Sequence, residues 1–152
     1  MVENLREHKL IGTAGELFTA FELTMMGVQC DLIKQDGTDV VAVKGNKVFL
    51  AQRIEVKTST YVDEKKCYSF SVSKGGKKRR YTKEDCDIIA LVALPERTIQ
   101  FFSVGSISGI TKKVHINTFR NDKDIISSSW DNALKNSLAE TKGTLDEWYK
   151  NK

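Results

Sequence analysis

Residues 88–94, Ile-Ile-Ala-Leu-Val-Ala-Leu, are apolar without a break and lie between Asp87 and Pro95. A strand with one face in water alternates polar and apolar side chains, so an unbroken run of this length reads as a strand buried on both faces. Such a strand needs cover on either side. Thr98–Val104 is predicted to pair with it across the Pro95-Glu96-Arg97 turn, and Tyr68-Ser69-Phe70-Ser71-Val72 alternates as a further strand. Upstream, Val28–Ile33 reads as a short strand, followed by the turn-like Lys34-Gln35-Asp36-Gly37. Asp39–Val43 and the longer Lys47–Lys57 then form a hairpin about the Gly45-Asn46 turn. Helical spacing at the two ends supplies the cover. Leu10, Ala14, Leu17, Phe18, Phe21 and Met25 mark a first helix stopped by Gly27, and Ile126, Trp130, Leu134 and Leu138 mark a last one over about 125–138. The expected architecture is a mixed β-sheet flanked by helices, of the α/β class.

With one proline, no repeat and no low-complexity stretch, residues 1–152 read as a single domain. The hydrophobic share of 40% and charged share of 29% exclude a disordered chain. No apolar run reaches the length of a membrane span, and the polar start from Met1 to Lys9 is unlike a signal peptide. Cys30, Cys67 and Cys86 are odd in number and widely spaced, which argues against a zinc site or a disulfide framework. A reducing, cytoplasmic setting is expected. The net charge of +4 is unevenly spread. Between Arg53 and Lys83 there are ten Lys or Arg against three acids, so the remainder of the chain is mildly acidic. A basic focus on an acidic body is the footprint of a polyanion binder.

Glu55 and Lys57 are two apart on the long strand, so their side chains leave the same face. Asp39 begins the preceding hairpin strand, and the hairpin brings it beside them although it is sixteen residues from Glu55. Two carboxylates at adjoining strand ends repel unless something compensates their charge, and a divalent metal does so. Hard oxygen ligands suit Mg²⁺, with Mn²⁺ as a substitute. The metal polarises a phosphoryl group and activates water, while a lysine steadies developing charge. No phosphate-cradling glycine loop is present, so nucleotide use is not expected.

Gly37-Thr38-Asp39, the hairpin, and Ile54-Glu55-Val56-Lys57-Thr58-Ser59 together resemble the PD-(D/E)xK nuclease superfamily. Gly37 or Thr38 stands where the family name places proline. Members often carry a further acid on the first helix, and Glu16, within Gly12-Thr13-Ala14-Gly15-Glu16, matches it. The resemblance covers about residues 10–104, with residues of about 120–150 as a C-terminal helical extension. Within the superfamily the chain resembles a group of short endonucleases that includes intron-encoded homing enzymes and archaeal Holliday junction resolvases. The resemblance implies a restriction-endonuclease-like core, Asp39, Glu55, Lys57 and Glu16 as catalytic residues, and Asp39, Glu55 and Glu16 as metal ligands.

The expected activity is metal-dependent hydrolysis of DNA phosphodiesters, by a site-specific homing or restriction-like endonuclease. A junction resolvase, or a DNA-binding module on the same fold without catalysis, are the alternatives. An RNA-binding protein would explain the basic segment but leaves the carboxylates without purpose. Phosphate contacts are expected from Thr58 and Ser59 and from the basic loop residues Lys74, Lys77, Lys78, Arg79 and Arg80, with Tyr68 and Tyr81 nearby. Two cuts in a duplex call for a homodimer or homotetramer. The stripe through Ile125, Ile126, Trp130, Leu134 and Leu138 either packs on its own sheet or meets a partner. Trp130 and Trp148 are expected to be packing anchors or oligomer contacts, and His8 and His115 to be structural or surface residues.

Overall fold

A computed structural model of the chain describes residues 2–35, 37–43, 51–75 and 78–152, with the backbone alone described for residues 2–6, 35, 144, 145 and 148. The expected Gly45-Asn46 turn, the start of the long strand at Lys47–Leu50, Asp36, Lys77 and the Trp148 side chain lie outside the described residues.

The apolar run forms a strand, Ile88–Ala93, with all six residues buried. Its two-residue period divides them between two cores. Ile88, Ala90 and Val92 join Ile54, Val56, Ile99 and Trp130, while Ile89, Leu91 and Ala93 join Tyr68, Phe70, Val114 and Phe119. This strand is the seventh in chain order, β7. It pairs in parallel with β3 (Gln52–Ser59) and antiparallel with β8 (Thr98–Ser103). β1 (Gln29–Gln35) and β2 (Thr38–Val43) extend the sheet in the order β1-β2-β3-β7-β8. The sheet is therefore mixed, as expected.

One face is covered by α1 (Val2–Met25) and α3 (Ile125–Lys150). Trp130 of α3 meets Phe101 edge to face, with ring centroids 5.3 Å apart. The α3 stripe thus packs on its own sheet, the first of the two outcomes open to it, and the helix continues well beyond Leu138. The other face is covered by β4 (Cys67–Ser71), which pairs with β9 (Thr111–His115), and by α2 (Ile116–Asn121). The sequence reading did not anticipate β9. Only Val114 of its five residues is buried, so it carries almost no apolar alternation.

α1 departs from expectation in the face it buries. Of the expected residues Phe18 packs against the core, but Leu10, Ala14, Leu17, Phe21 and Met25 are exposed, and the buried contacts of the helix are Gly15, Thr19 and Leu23. The cause is close approach. A Cβ built on Gly15 would lie 1.8 Å from Thr58 Oγ1, so only glycine lets α1 sit this near the end of β3. Among the described residues no helix is long and apolar enough to cross a membrane.

Candidate active site

β3 sends Ile54 and Val56 into the helix-covered core. The alternate residues, Glu55 and Lys57, then leave the opposite face. There they meet Tyr81. Lys57 Nζ donates to Glu55 Oε1 at 2.7 Å and lies 2.9 Å from Tyr81 Oη, and that hydroxyl donates to the same Glu55 oxygen at 2.8 Å. Glu55 is 7% exposed and Tyr81 is buried, so three polar groups are fixed in one water-poor triangle. Although burial alone would lower the Lys57 ammonium, the Glu55 charge and its hydrogen bond hold it above the ordinary lysine value. Burial, with the Glu55 charge beside it, pushes the Tyr81 phenol up to about 12.

Asp39 lies on β2, next to β3, and its Oδ2 accepts a hydrogen bond from the Val56 amide at 2.8 Å. That bond pins the carboxylate to the strand carrying Glu55 and Lys57, the juxtaposition that the hairpin implied. Burial raises Asp39 to about 7, against the Val56 hydrogen bond that favours its ionised form, and the charges of Glu55 and Glu16 push the same way. Glu16 is itself raised, first by burial and then by Glu55, with Lys34 opposing. Asp39 and Glu16 therefore both sense the charge of Glu55, from elements other than its own. Lys34, at the β1 edge, is a member of this neighbourhood that sequence spacing did not reveal.

The donor set suits a hard divalent cation. Asp39 Oδ1 and Glu55 Oε2 accept no hydrogen bond among the described residues, and the charges of Glu55 and Glu16 raise the proton affinity of Asp39 when no cation compensates them. The described residues do not gather three acidic, imidazole or thiol side chains into a ready-made metal cage. Mg²⁺ does not need one, since it ordinarily takes one or two carboxylates and completes its shell with water and phosphate oxygens.

The residues expected to meet phosphate separate on inspection. Thr58 is corrected. Its Oγ1 is buried against Gly15 with no hydrogen-bond partner among the described residues, so α1 closes it off from a phosphate. Ser59, one residue on, is partly exposed at the strand end. The expected flexible basic loop is a short hairpin, β5 (Ser73–Lys74) with β6 (Arg79–Arg80). Lys74 Nζ lies 2.7 Å from Asp85 Oδ1, and Arg79 binds Asp85 with both terminal nitrogens at 2.9 Å. Asp85 is buried, and these cations hold its carboxyl far below the usual range, Arg79 foremost. Its backbone carbonyl also accepts from Thr38 Oγ1 at 3.2 Å, which ties the hairpin to the turn that presents Asp39. Lys78 and Arg80 are exposed on the hairpin, Arg80 also donating to the Ile107 carbonyl at 2.9 Å. Lys77 falls outside the described residues. Tyr68 and Tyr81 are buried, so neither belongs to an arm that follows a phosphate backbone.

Sequence reasoning set Tyr81 beside the basic loop rather than at the site, and gave Asp85 and Asp87 no role. Asp87 accepts from the Arg53 backbone amide at 2.9 Å and its Nε at 3.1 Å, and pairs with Lys83 at 3.2 Å. Their signal was present as the acidic cluster of 84–87 directly after a basic run, but the partners are not at any fixed spacing. A cleft of about 460 Å³ opens beside Tyr81, lined by Arg80, Thr82, Lys83, Val104, Gly105 and Glu140. It holds none of the carboxylates that surround Asp39. His8 is exposed, and His115 caps α2 by accepting from the Asn117 amide at 3.2 Å, so neither joins the cluster.

No family model and no curated protein matches the chain. Among solved structures the chain is similar to a bacterial homing endonuclease, I-Ssp6803I, at a TM-score of 0.65 and 18% identity, over 88% of this chain and 97% of that one. At that identity the likeness is one of fold alone: a mixed sheet flanked by helices.

Proposed function

We propose that the chain is a metal-dependent DNA endonuclease of the PD-(D/E)xK type, acting at specific sites in the manner of a homing or restriction enzyme. The observation that supports it most is the Glu55–Lys57–Tyr81 triangle with Asp39 pinned beside it at the Val56 amide. A surface ion pair on a strand needs neither burial nor a third partner, and it gives no reason for Asp39 to be raised to about 7.

Asp39 and Glu55 would hold Mg²⁺ or Mn²⁺, with Glu16 next to them, and the ion when bound polarises the scissile phosphate and acidifies water. Glu55 positions Lys57 through the 2.7 Å contact. Lys57, protonated, faces the charge that develops on the phosphate oxygens. Tyr81 keeps both groups in place and stays protonated at neutral pH. The exposed cations of the β5–β6 hairpin meet the DNA backbone, and Asp85 holds that hairpin next to the Asp39 turn. The described residues of one chain hold one such cluster, so cutting both strands of a duplex calls for at least two chains.

The test offers the purified protein supercoiled plasmid, linear duplex and a synthetic four-way junction, each with Mg²⁺ and with EDTA. Plasmid or duplex cleavage that requires the metal is expected. Cleavage confined to the junction would replace the site-specific role with a resolving one, and cleavage undiminished in EDTA would remove the metal.

A further inference from the structure

α1 carries a long apolar face that the other described residues leave bare. Leu10, Leu17, Phe21 and Met25 are 63%, 53%, 57% and 69% exposed, and Ala14 and Thr24 between them are exposed as well. Leu10, Ala14, Leu17, Phe21 and Thr24 succeed one another at intervals of four, three, four and three. That 3.5-residue period is the one by which a helix packs lengthwise against another helix. The seam is about 22 Å long. Glu16 and Glu22 are the charged residues between Leu10 and Met25, and each stands about 120° around the helix from the stripe at 100° per residue.

The occupant has to be uncharged where it touches, helical, and not already in use. Within the chain, α3 has laid Trp130 and Leu134 against the sheet and α2 has buried Phe119, so neither offers an apolar face among the described residues. A nucleic acid or an anionic bilayer would call for cations along the rim, where Glu16 and Glu22 stand instead. A second copy of the same stripe meets every requirement, because a neutral face at heptad spacing is complementary to itself about a two-fold axis. Two copies in contact along it would remove on the order of 1,000 Å² from water, which is the lower bound for a specific interface.

We infer that α1 pairs with α1 of a second copy, forming a two-fold dimer whose seam runs from Leu10 to Met25. The inference names a surface for the two-chain assembly proposed above, but it stands on the bare face, and its test reads mass and cross-linking rather than cleavage.

The test measures mass by light scattering and sedimentation across a concentration series, for the wild type, Leu17→Glu and Phe21→Glu. The wild type is expected at twice the chain mass or an even multiple of it. Both variants should fall to half the wild-type mass with unchanged helix content and melting, since the substituted positions are exposed in the single chain. Leu17→Cys, oxidised and run without reductant, is expected to give a covalent dimer that the wild type, with its three native thiols as control, does not. This arm decides the matter if a Glu variant fails to fold. A monomeric wild type at every concentration, Glu variants that keep the wild-type mass, or a Leu17→Cys protein that stays uncross-linked would each overturn the inference. So would a monomer that binds neutral lipid vesicles through this face.

Discussion

Asp39 has its chemistry moved far from the ordinary range of its side chain, and the cause can be separated into parts. Burial comes first, then the charges of Glu55 and Glu16, and together they outweigh the Val56 amide and the Lys57 ammonium to leave it at about 7. Between about pH 4 and pH 7 the folded, metal-free chain therefore holds a proton that the unfolded chain has lost. A group raised on folding stabilises below its unfolded value and loses that contribution as pH rises through its folded value, so the metal-free protein should weaken across this window. Asp39→Asn keeps an oxygen for the Val56 amide and removes the titration. It is expected to match the wild type near pH 4 and to exceed it by about 1–2 kcal/mol at pH 8, the full shift being discounted for solvent around a carboxylate that is only partly buried. Added Mg²⁺ should narrow the gap by stabilising the wild type alone. Melting curves at the two pH values, with and without Mg²⁺, check this; a variant that tracks the wild type throughout would show that Asp39 is not raised.

The elements differ in how openly the sequence announced them. β7 was plain because seven apolar residues in a row admit few readings, and the hairpin geometry correctly placed Asp39 beside Glu55 and Lys57. α1 was recognised as a helix but turned the wrong way. Bulky residues mark a buried stripe only when bulk makes the contact, and here the contact is made by the absence of a side chain at Gly15. Gly15→Ala puts a methyl group onto Thr58 and should push α1 off β3, at about 1–3 kcal/mol of stability. Glu16, the next residue, moves with it, so cleavage should fall by more than the fraction of unfolded protein explains. Gly15→Ala combined with Thr58→Ala is expected to recover part of both losses, and strictly additive losses would rule out this contact.

The β5–β6 hairpin shows a second limit of the same kind, because a basic run reads as a solvated surface until its acidic partner is placed. Arg79 and Lys74 are structural cations, engaged with buried Asp85. Arg79→Ala should cost about 1–3 kcal/mol at neutral pH by withdrawing a partner from a buried carboxylate. Asp85 is depressed on folding, so this contribution is present above its unfolded value and fades as acid protonates it. Lys78→Ala should leave stability unchanged and reduce the log-log salt slope of DNA binding by about 0.9. If Arg79→Ala alone changes the slope and Lys78→Ala does nothing, the assignment of these two cations is reversed.

At the scale of the whole molecule, the sheet separates two tasks. One face is given to the helices α1 and α3 and to bulk packing, while the other carries Glu55, Lys57 and Tyr81 under the connection between β3 and β7. Two parallel neighbours joined by so long a connection leave room for β4 and the basic hairpin to be carried over the site. Tyr81 and Asp85 come from that connection, and their distance in sequence from β3 is why motif spacing could not find them. The assembly question moves as well, from α3, whose stripe is consumed by its own sheet, to α1. The nuclease reading depends on Lys57 more than on any other single side chain, since Lys57 joins the carboxylate to the phenol and that reading gives it the scissile phosphate as well. The decisive measurement is metal-dependent cleavage by the wild type and Lys57→Ala on the same DNA, with affinity recorded in parallel. Loss of cleavage by about 100-fold or more, with DNA affinity nearly intact, is the result expected for a group that acts on developing charge. A Lys57→Ala protein that cuts at the wild-type rate would contradict the assignment of this site.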